Sequence, residues 1–168
     1  MTDSPDVALG AFDPDRHLWL LDAWLRRPHV ARWWGEPERA LAAVLQRPRG
    51  AEALIVVDAR AVGFVCWQTL SQEERSSAGL ADLPDGLVDV DILIGEPDVV
   101  GQGVGPAALR LVLATLKASR VPVVGLAAAT TNQRALNAYA KAGFRAYHDF
   151  HESGERMRYF VQTLDATV

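Results

Sequence analysis

The stretch that most narrows what this chain can fold into is Leu87–Pro106, where an alternating apolar run leads into Gly101-Gln102-Gly103-Val104-Gly105 and then a helix-opening proline. Leu87 to Ile94 alternates like a strand. Side chains on a strand alternate with period two, so Val90, Ile92 and Ile94 fall on one face and Asp89 and Asp91 share the other. Pro106 suits a first helical position, and Leu109, Val112, Leu113 and Leu116 continue as one apolar stripe. Strand, glycine loop and helix in this order imply a mixed α/β fold. Glycines at a helix start let backbone N–H groups approach phosphate oxygens, and the helix dipole favours the negative charge. Glycines serve tight turns equally well, so the loop alone leaves both readings open. It is neither a Gly-x-Gly-x-x-Gly fingerprint with an acid about twenty residues on nor a P-loop ending in Gly-Lys-Ser/Thr, which disfavours those nucleotide folds.

Around this unit, Asp13-Pro14 reads as an N-cap and first-turn proline, with Leu18, Leu21 and Leu25 at helical spacing. A short second helix at His29–Glu36 breaks near Gly35, and a third follows at Pro37–Gln46. Ala53–Val57 and Ala61–Leu70, divided by Asp58-Ala59-Arg60, have the pattern of an antiparallel hairpin. Ser71–Gly86 is polar and long and reads as a mobile functional loop. Val121–Ala127 is a short strand. Asn132 then caps a helix whose Leu136, Tyr139 and Ala140 share a face and which ends at Gly143. Arg145–Phe150 and Met157–Thr163 look like a closing hairpin around His151-Glu152-Ser153-Gly154.

Two motifs together resemble the GNAT superfamily of N-acetyltransferases. That family's acyl-CoA loop reads Gln/Arg-x-x-Gly-x-Gly/Ala just before a helix, and here it is Val100-Gly101-Gln102-Gly103-Val104-Gly105, with Val100 where a polar residue usually stands. The second motif, Asn-x-x-Ala-x-x-x-Tyr-x-x-x-Gly-Phe, is matched by Asn132, Ala135, Tyr139, Gly143 and Phe144. The resemblance implies a GNAT fold: a largely antiparallel central sheet with a splay after Ile94 and helices on both faces, with acetyl-CoA as cosubstrate. It places the acyl donor at Val100–Gly105, Pro106 and Asn132, with pantetheine pairing to the backbone of Leu93 and Ile94. Tyr139 would protonate the departing thiolate; its competing reading is a core tyrosine on the helix's apolar face.

The run Asp89-Val90-Asp91-Ile92-Leu93-Ile94-Gly95-Glu96-Pro97, the Pro28-His29-Val30-x-x-Trp33-Trp34-Gly35 segment and the terminal Phe160-Val161-Gln162-Thr163 are similar to aminoglycoside 6′-N-acetyltransferases. This resemblance spans Leu18 to Thr163. By it, Asp91 contacts and deprotonates the reacting amine, Asp89 lines the same surface, and Trp33 or Trp34 walls the substrate site; core packing competes for at least one of the tryptophans. A protonated amine cannot attack a thioester, so such a site must accept a proton and hold a cation, and a carboxylate does both. The strand Gly125-Leu126-Ala127-Ala128-Ala129 lacks an aspartate that relatives often place around Ala127.

With 168 residues and 49% hydrophobic content, the chain is the size of one domain, 1–168, able to bury a core. Its net charge of −4 and scattered basic residues argue against nucleic acid and suit a small cationic amine. No segment reaches transmembrane length and no signal peptide is apparent, so a cytoplasmic protein with no membrane partner is expected, as monomer or homodimer. Cys66, alone in an apolar run, reads as a buried inert thiol. His17, His29, His148 and His151 lack metal-ligand spacing, so no metal is assigned, and the last two belong on surface positions. The 6′-amine of an aminoglycoside is the favoured acceptor. Alternatives are a siderophore-biosynthesis acyltransferase acting on a hydroxylysine-like amine and a non-catalytic acetyl-CoA sensor.

Overall fold

A computed structural model describes residues 4–164. Seven strands form one sheet in the order β1-β2-β3-β4-β5-β7-β6. Of the registers along it, β1/β2, β2/β3, β5/β7 and β6/β7 are antiparallel and β4/β5 is parallel. The described residues fall into two compact units, one running up to Cys66 and adding Ile92–Ala108, the other formed by Trp67–Asp91 and the chain from Leu109 onward.

The first unit holds β1 (Val7–Gly10), α1 (Pro14–Leu25), α2 (Pro28–Trp34), α3 (Pro37–Leu45), β2 (Glu52–Val57) and most of β3 (Arg60–Thr69). Asp13 caps α1 by accepting from the Asp15 amide, as the sequence predicts, and Gly35 ends α2 with φ +79°. Strands β2 and β3 turn through Asp58 and Ala59, both at positive φ, the geometry of a two-residue hairpin. β1, an edge strand of four residues paired to β2, has too little pattern for the sequence to reveal it. The core gathers Leu21, Trp24, Leu25, Val30, Phe64, Cys66 and Leu93.

In the second unit, α4 (Gln72–Ser77) occupies the segment expected to be a mobile loop. Ser71 and Glu74 form a reciprocal capping box, and the buried Arg75 donates to the Leu83 carbonyl and pairs with Asp85. That segment is therefore folded, with Leu80 in the unit's core beside Leu87, Val123 and Tyr159.

Strand β4 (Val88–Ile94) corrects the expected alternation. Val88, Val90 and Leu93 are buried, whereas Ile92 and Ile94 are only partly so, and the phase slips after Asp91. Its parallel pairing with β5 (Val123–Ala129) covers Val88↔Val124 and Asp89↔Gly125. Helix α5 (Val104–Ala118) starts two residues before Pro106, which sits within the first turn, where its missing N–H costs nothing. Helix α6 (Gln133–Lys141) is capped by Asn132; Tyr139 is buried, but Ala140 is exposed and does not share its face. β6 (Arg145–Glu152) and β7 (Glu155–Thr163) turn at Ser153 and Gly154, so His151 and Glu152 belong to the strand.

Candidate functional site

In the first unit, the 3-10 turn Pro97–Val99 leads into Gly101, Gln102 and Gly103, all exposed. Gly101 and Gly103 have φ of +79° and +82°, and a Cβ on either would meet nothing within 4 Å. Left-handed backbone favours glycine, and bare backbone over open space before a fifteen-residue helix is what a bound pyrophosphate requires. The residues present therefore fit coenzyme A at this loop. Gln102 Nε2 donates back to the Asp98 carbonyl at 2.8 Å, tying the turn to its own lead-in.

That lead-in is fastened by a hub that sequence reasoning did not identify as functional. Glu96 accepts from Trp24 Nε1 at 2.9 Å, from Arg27 Nη1 at 2.7 Å and from Arg60 Nη2 at 3.1 Å. Arg27 also donates to the Gly95 carbonyl, and Arg60 pairs with Asp98 at 2.8 Å. Hydrogen bonding from Arg27, then from Trp24, holds the Glu96 carboxyl below its ordinary range, so it stays charged. A Cβ on Gly95 would lie 2.0 Å from Trp24 Cγ, and only glycine lets the indole lie against the strand end. A glycine at the end of the apolar run Ile92-Leu93-Ile94 was the available signal of that close approach.

Leu93 is buried, and the Ile94 carbonyl accepts from His29 Nε2 at 2.9 Å. Trp34 packs on the first unit's core, as the competing reading anticipates for one of the pair. Trp33 lies beneath the Arg32 guanidinium, 4.6 Å from its ring centroid.

In the second unit, Tyr139 is 8% exposed, with the Phe160 ring edge-on at 5.6 Å and Phe144 at 6.4 Å. Burial first, then the negative charges of Asp91 and Asp89, push its phenol well above the ordinary value, so it keeps its proton. Tyr139 is thus a core side chain, as its competing reading anticipates, and a protonated hydroxyl within electrostatic reach of Asp91. Asn132 Oδ1 accepts from the Ala135 amide at 3.2 Å. Asp89 accepts from Tyr159 Oη at 2.9 Å, a pairing 70 residues apart that no local pattern announces. His148, expected on the surface, is partly buried among the rings of Tyr147, Phe150 and Tyr159. Among the described residues no three His, Cys, Asp or Glu side chains group as metal ligands, and no helix is long and apolar enough to cross a membrane.

A mixed α/β sheet and a glycine turn that opens a long helix are the fold features the sequence resemblance implies. The acetyltransferase (GNAT) domain profile matches residues 13–151, and the chain belongs to that family, whose acyl donor is acetyl-CoA. A mycothiol acetyltransferase of Acidimicrobium ferrooxidans is 28% identical over 139 residues, covering 83% of this chain and 37% of that protein. The chain thus spans little more than a third of that relative's length. An aminoglycoside N(6′)-acetyltransferase type 1 of Klebsiella pneumoniae is 23% identical, over 99% of this chain and 88% of that one. Among solved structures, an aminoglycoside acetyltransferase with coenzyme A and kanamycin superposes with TM-score 0.73 at 21% identity, covering 94% of this chain and 95% of the other. The aminoglycoside N(6′)-acetyltransferase of Legionella pneumophila gives TM-score 0.76 at 17% identity, covering 97% and 95%. At these identities the structural likeness is one of fold.

Proposed function

We propose that this chain acetylates a primary amine of a small cationic molecule, with the 6′-amine of an aminoglycoside as the favoured acceptor and antibiotic resistance as the consequence. The observation that carries the reading is Tyr139, a buried, permanently protonated phenol under the influence of Asp91. When bound, acetyl-CoA supplies the activated acyl carbon. The family resemblance assigns the backbone of Val100–Gly105, Pro106 and the strand end at Leu93 and Ile94 in the first unit, and Asn132 in the second, to holding it.

Asp91 attracts the ammonium form and accepts a proton from it, directly or through water, which frees the lone pair that attacks the acyl carbon; the proton the nitrogen sheds afterwards balances the thiolate released as the C–S bond breaks. Tyr139 donates a hydrogen bond to the leaving sulfur. A thiol of ordinary pKa near 8.5 is a stronger acid than this phenol, so full transfer from Tyr139 would run uphill; the residue stabilises the thiolate while retaining its own proton. This modifies the simple proton-donor role that the family resemblance implies. Asp89 adds negative charge to the same strand, and Trp33 and Trp34 stand as candidate walls.

The test is release of CoA thiol from acetyl-CoA in the presence of kanamycin, comparing wild type with Asp91→Asn and Tyr139→Phe. Acetylation at the 6′ position is expected, with kcat lowered about 100-fold in Asp91→Asn and roughly tenfold in Tyr139→Phe. Acetyl-CoA binding without kanamycin turnover would remove the aminoglycoside assignment. The likeness to a mycothiol acetyltransferase favours the second reading, an acceptor amine on another small metabolite.

A further inference from the structure

We propose that Arg60 is a positioning residue for coenzyme A: acting through Asp98, it holds the backbone of the glycine loop in the shape that receives the pyrophosphate, and it does not itself draw in the phosphates. The inference rests on the reading of Val100–Gly105 as the acyl-donor loop. Gly95 and Glu96 both donate their amides to the Val62 carbonyl, at 2.8 and 3.1 Å, and there the chain leaves the sheet as the 3-10 turn Pro97–Val99. Arg60, the first residue of β3, carries the attachment two residues further. Its Nη1 donates to Asp98 Oδ2 at 2.8 Å and its Nη2 to Asp98 Oδ1 at 3.0 Å, a two-pronged pairing between residues 38 apart in the chain. A planar fork of this kind fixes direction as well as distance.

Asp98 is gripped at a second point. Its carbonyl accepts from Gln102 Nε2 at 2.8 Å, so one residue joins β3 on one side to the middle of the glycine loop on the other. Gln102 stands between Gly101 and Gly103, whose left-handed backbone sets where the loop's N–H groups point. Val100 brings no side-chain donor, so an anion there depends on those N–H groups and on how well their directions are set before it arrives. The Arg60 charge is already answered by Asp98 and, through Nη2 at 3.1 Å, by Glu96. Both side chains of the fork are open to solvent, 51% and 60% exposed, so the pair adds little to overall stability. Its effect falls on the shape of the turn.

Calorimetric titration with coenzyme A and with pantetheine, which has the same thiol arm without the nucleotide and its pyrophosphate, isolates this role. Wild type should bind coenzyme A far more tightly than pantetheine. Asp98→Ala removes a negative charge beside the site of a polyanion, and charge alone would strengthen binding. Positioning predicts the opposite sign: coenzyme A binding weakened about tenfold, with pantetheine binding unchanged. Arg60→Lys keeps the charge but loses the fork, and should show the same loss. In turnover, KM for acetyl-CoA should rise in both variants while kcat holds, and Tm should stay within a few degrees of wild type. Unchanged or tighter coenzyme A binding in Asp98→Ala, full affinity in Arg60→Lys, or an equal loss for pantetheine would overturn the proposal and leave the loop as the acyl-donor site. Coenzyme A held no better than pantetheine by the wild type would remove the loop reading, and the proposal with it.

Discussion

The carboxylates Glu96 and Asp89, in different units, are held by the same local device. Beside each, a glycine gives up its Cβ space to an aromatic ring: Gly95 to Trp24 and Gly125 to Tyr159. Each ring donates one hydrogen bond at 2.9 Å to the carboxylate. On Glu96, two guanidinium groups converge as well, so its charge is answered within the protein and the hub becomes a clamp on the lead-in to the glycine loop. On Asp89 the donor is the neutral Tyr159 hydroxyl. A carboxylate that accepts from two arginines is suited to holding backbone in place.

The two glycines provide the most forceful challenge to this parallel. Gly95→Ala would press a methyl against the root of a fully buried indole, which cannot swing aside. The expected cost is about 3 kcal/mol or more, a fall in Tm on the order of 10 °C by scanning calorimetry. Gly125→Ala meets the far end of a tyrosine, which can turn away at smaller cost in stability but would withdraw its hydroxyl from Asp89. Equal losses of Tm in the two variants would erase the distinction between a locked indole and a movable tyrosine.

Glu96→Gln tests the clamp itself. Removing one charge leaves Arg27 and Arg60 around a neutral amide, with an expected loss of roughly 2 kcal/mol in urea denaturation, because hydrogen bonds to charged groups contribute more than neutral ones. If the hub positions the glycine loop, acetyl-CoA should also bind several-fold more weakly, while kanamycin binding to the free enzyme is unchanged. A shift in both ligands would show that the hub serves the whole fold rather than the lead-in.

What the sequence made legible follows the range of the interaction concerned. Caps and turns act over a few residues, so Asp13, Gly35, Asn132 and Gly143 could be read directly, as could the hairpin at Asp58 and Ala59. The Ser71-x-x-Glu74 capping box was equally local, yet the polar composition around it suggested a loop and hid α4. In β4, strict alternation put Ile92 and Ile94 on the apolar face, but the phase slip at Asp91 buries Leu93 instead. Tertiary packing there overrode the period. The glycine loop, Asp91 and Tyr139 came from motifs, while the Tyr159–Asp89 and Trp24–Glu96 contacts join residues 70 and 72 positions apart and leave only a glycine as their local trace.

Asp149 supplies the smallest expected effect and a control for the comparison, because it is a charge-answered carboxylate in the same unit as Asp89. Hydrogen bonds from Arg158 first, and then from Arg156, hold its carboxyl down to about 2. A folded value below the unfolded one means that the stabilisation is complete above the unfolded pKa, about 4, and is lost as pH falls through that value toward 2. Asp149→Asn should therefore melt slightly below wild type at neutral pH, and the gap should close between about pH 4 and pH 2 where both proteins remain folded. The pairing sits on the exposed hairpin, so raised salt should narrow the gap as well. Kanamycin binding should not respond to this variant; if it does, charge anywhere in the unit tunes the amine site.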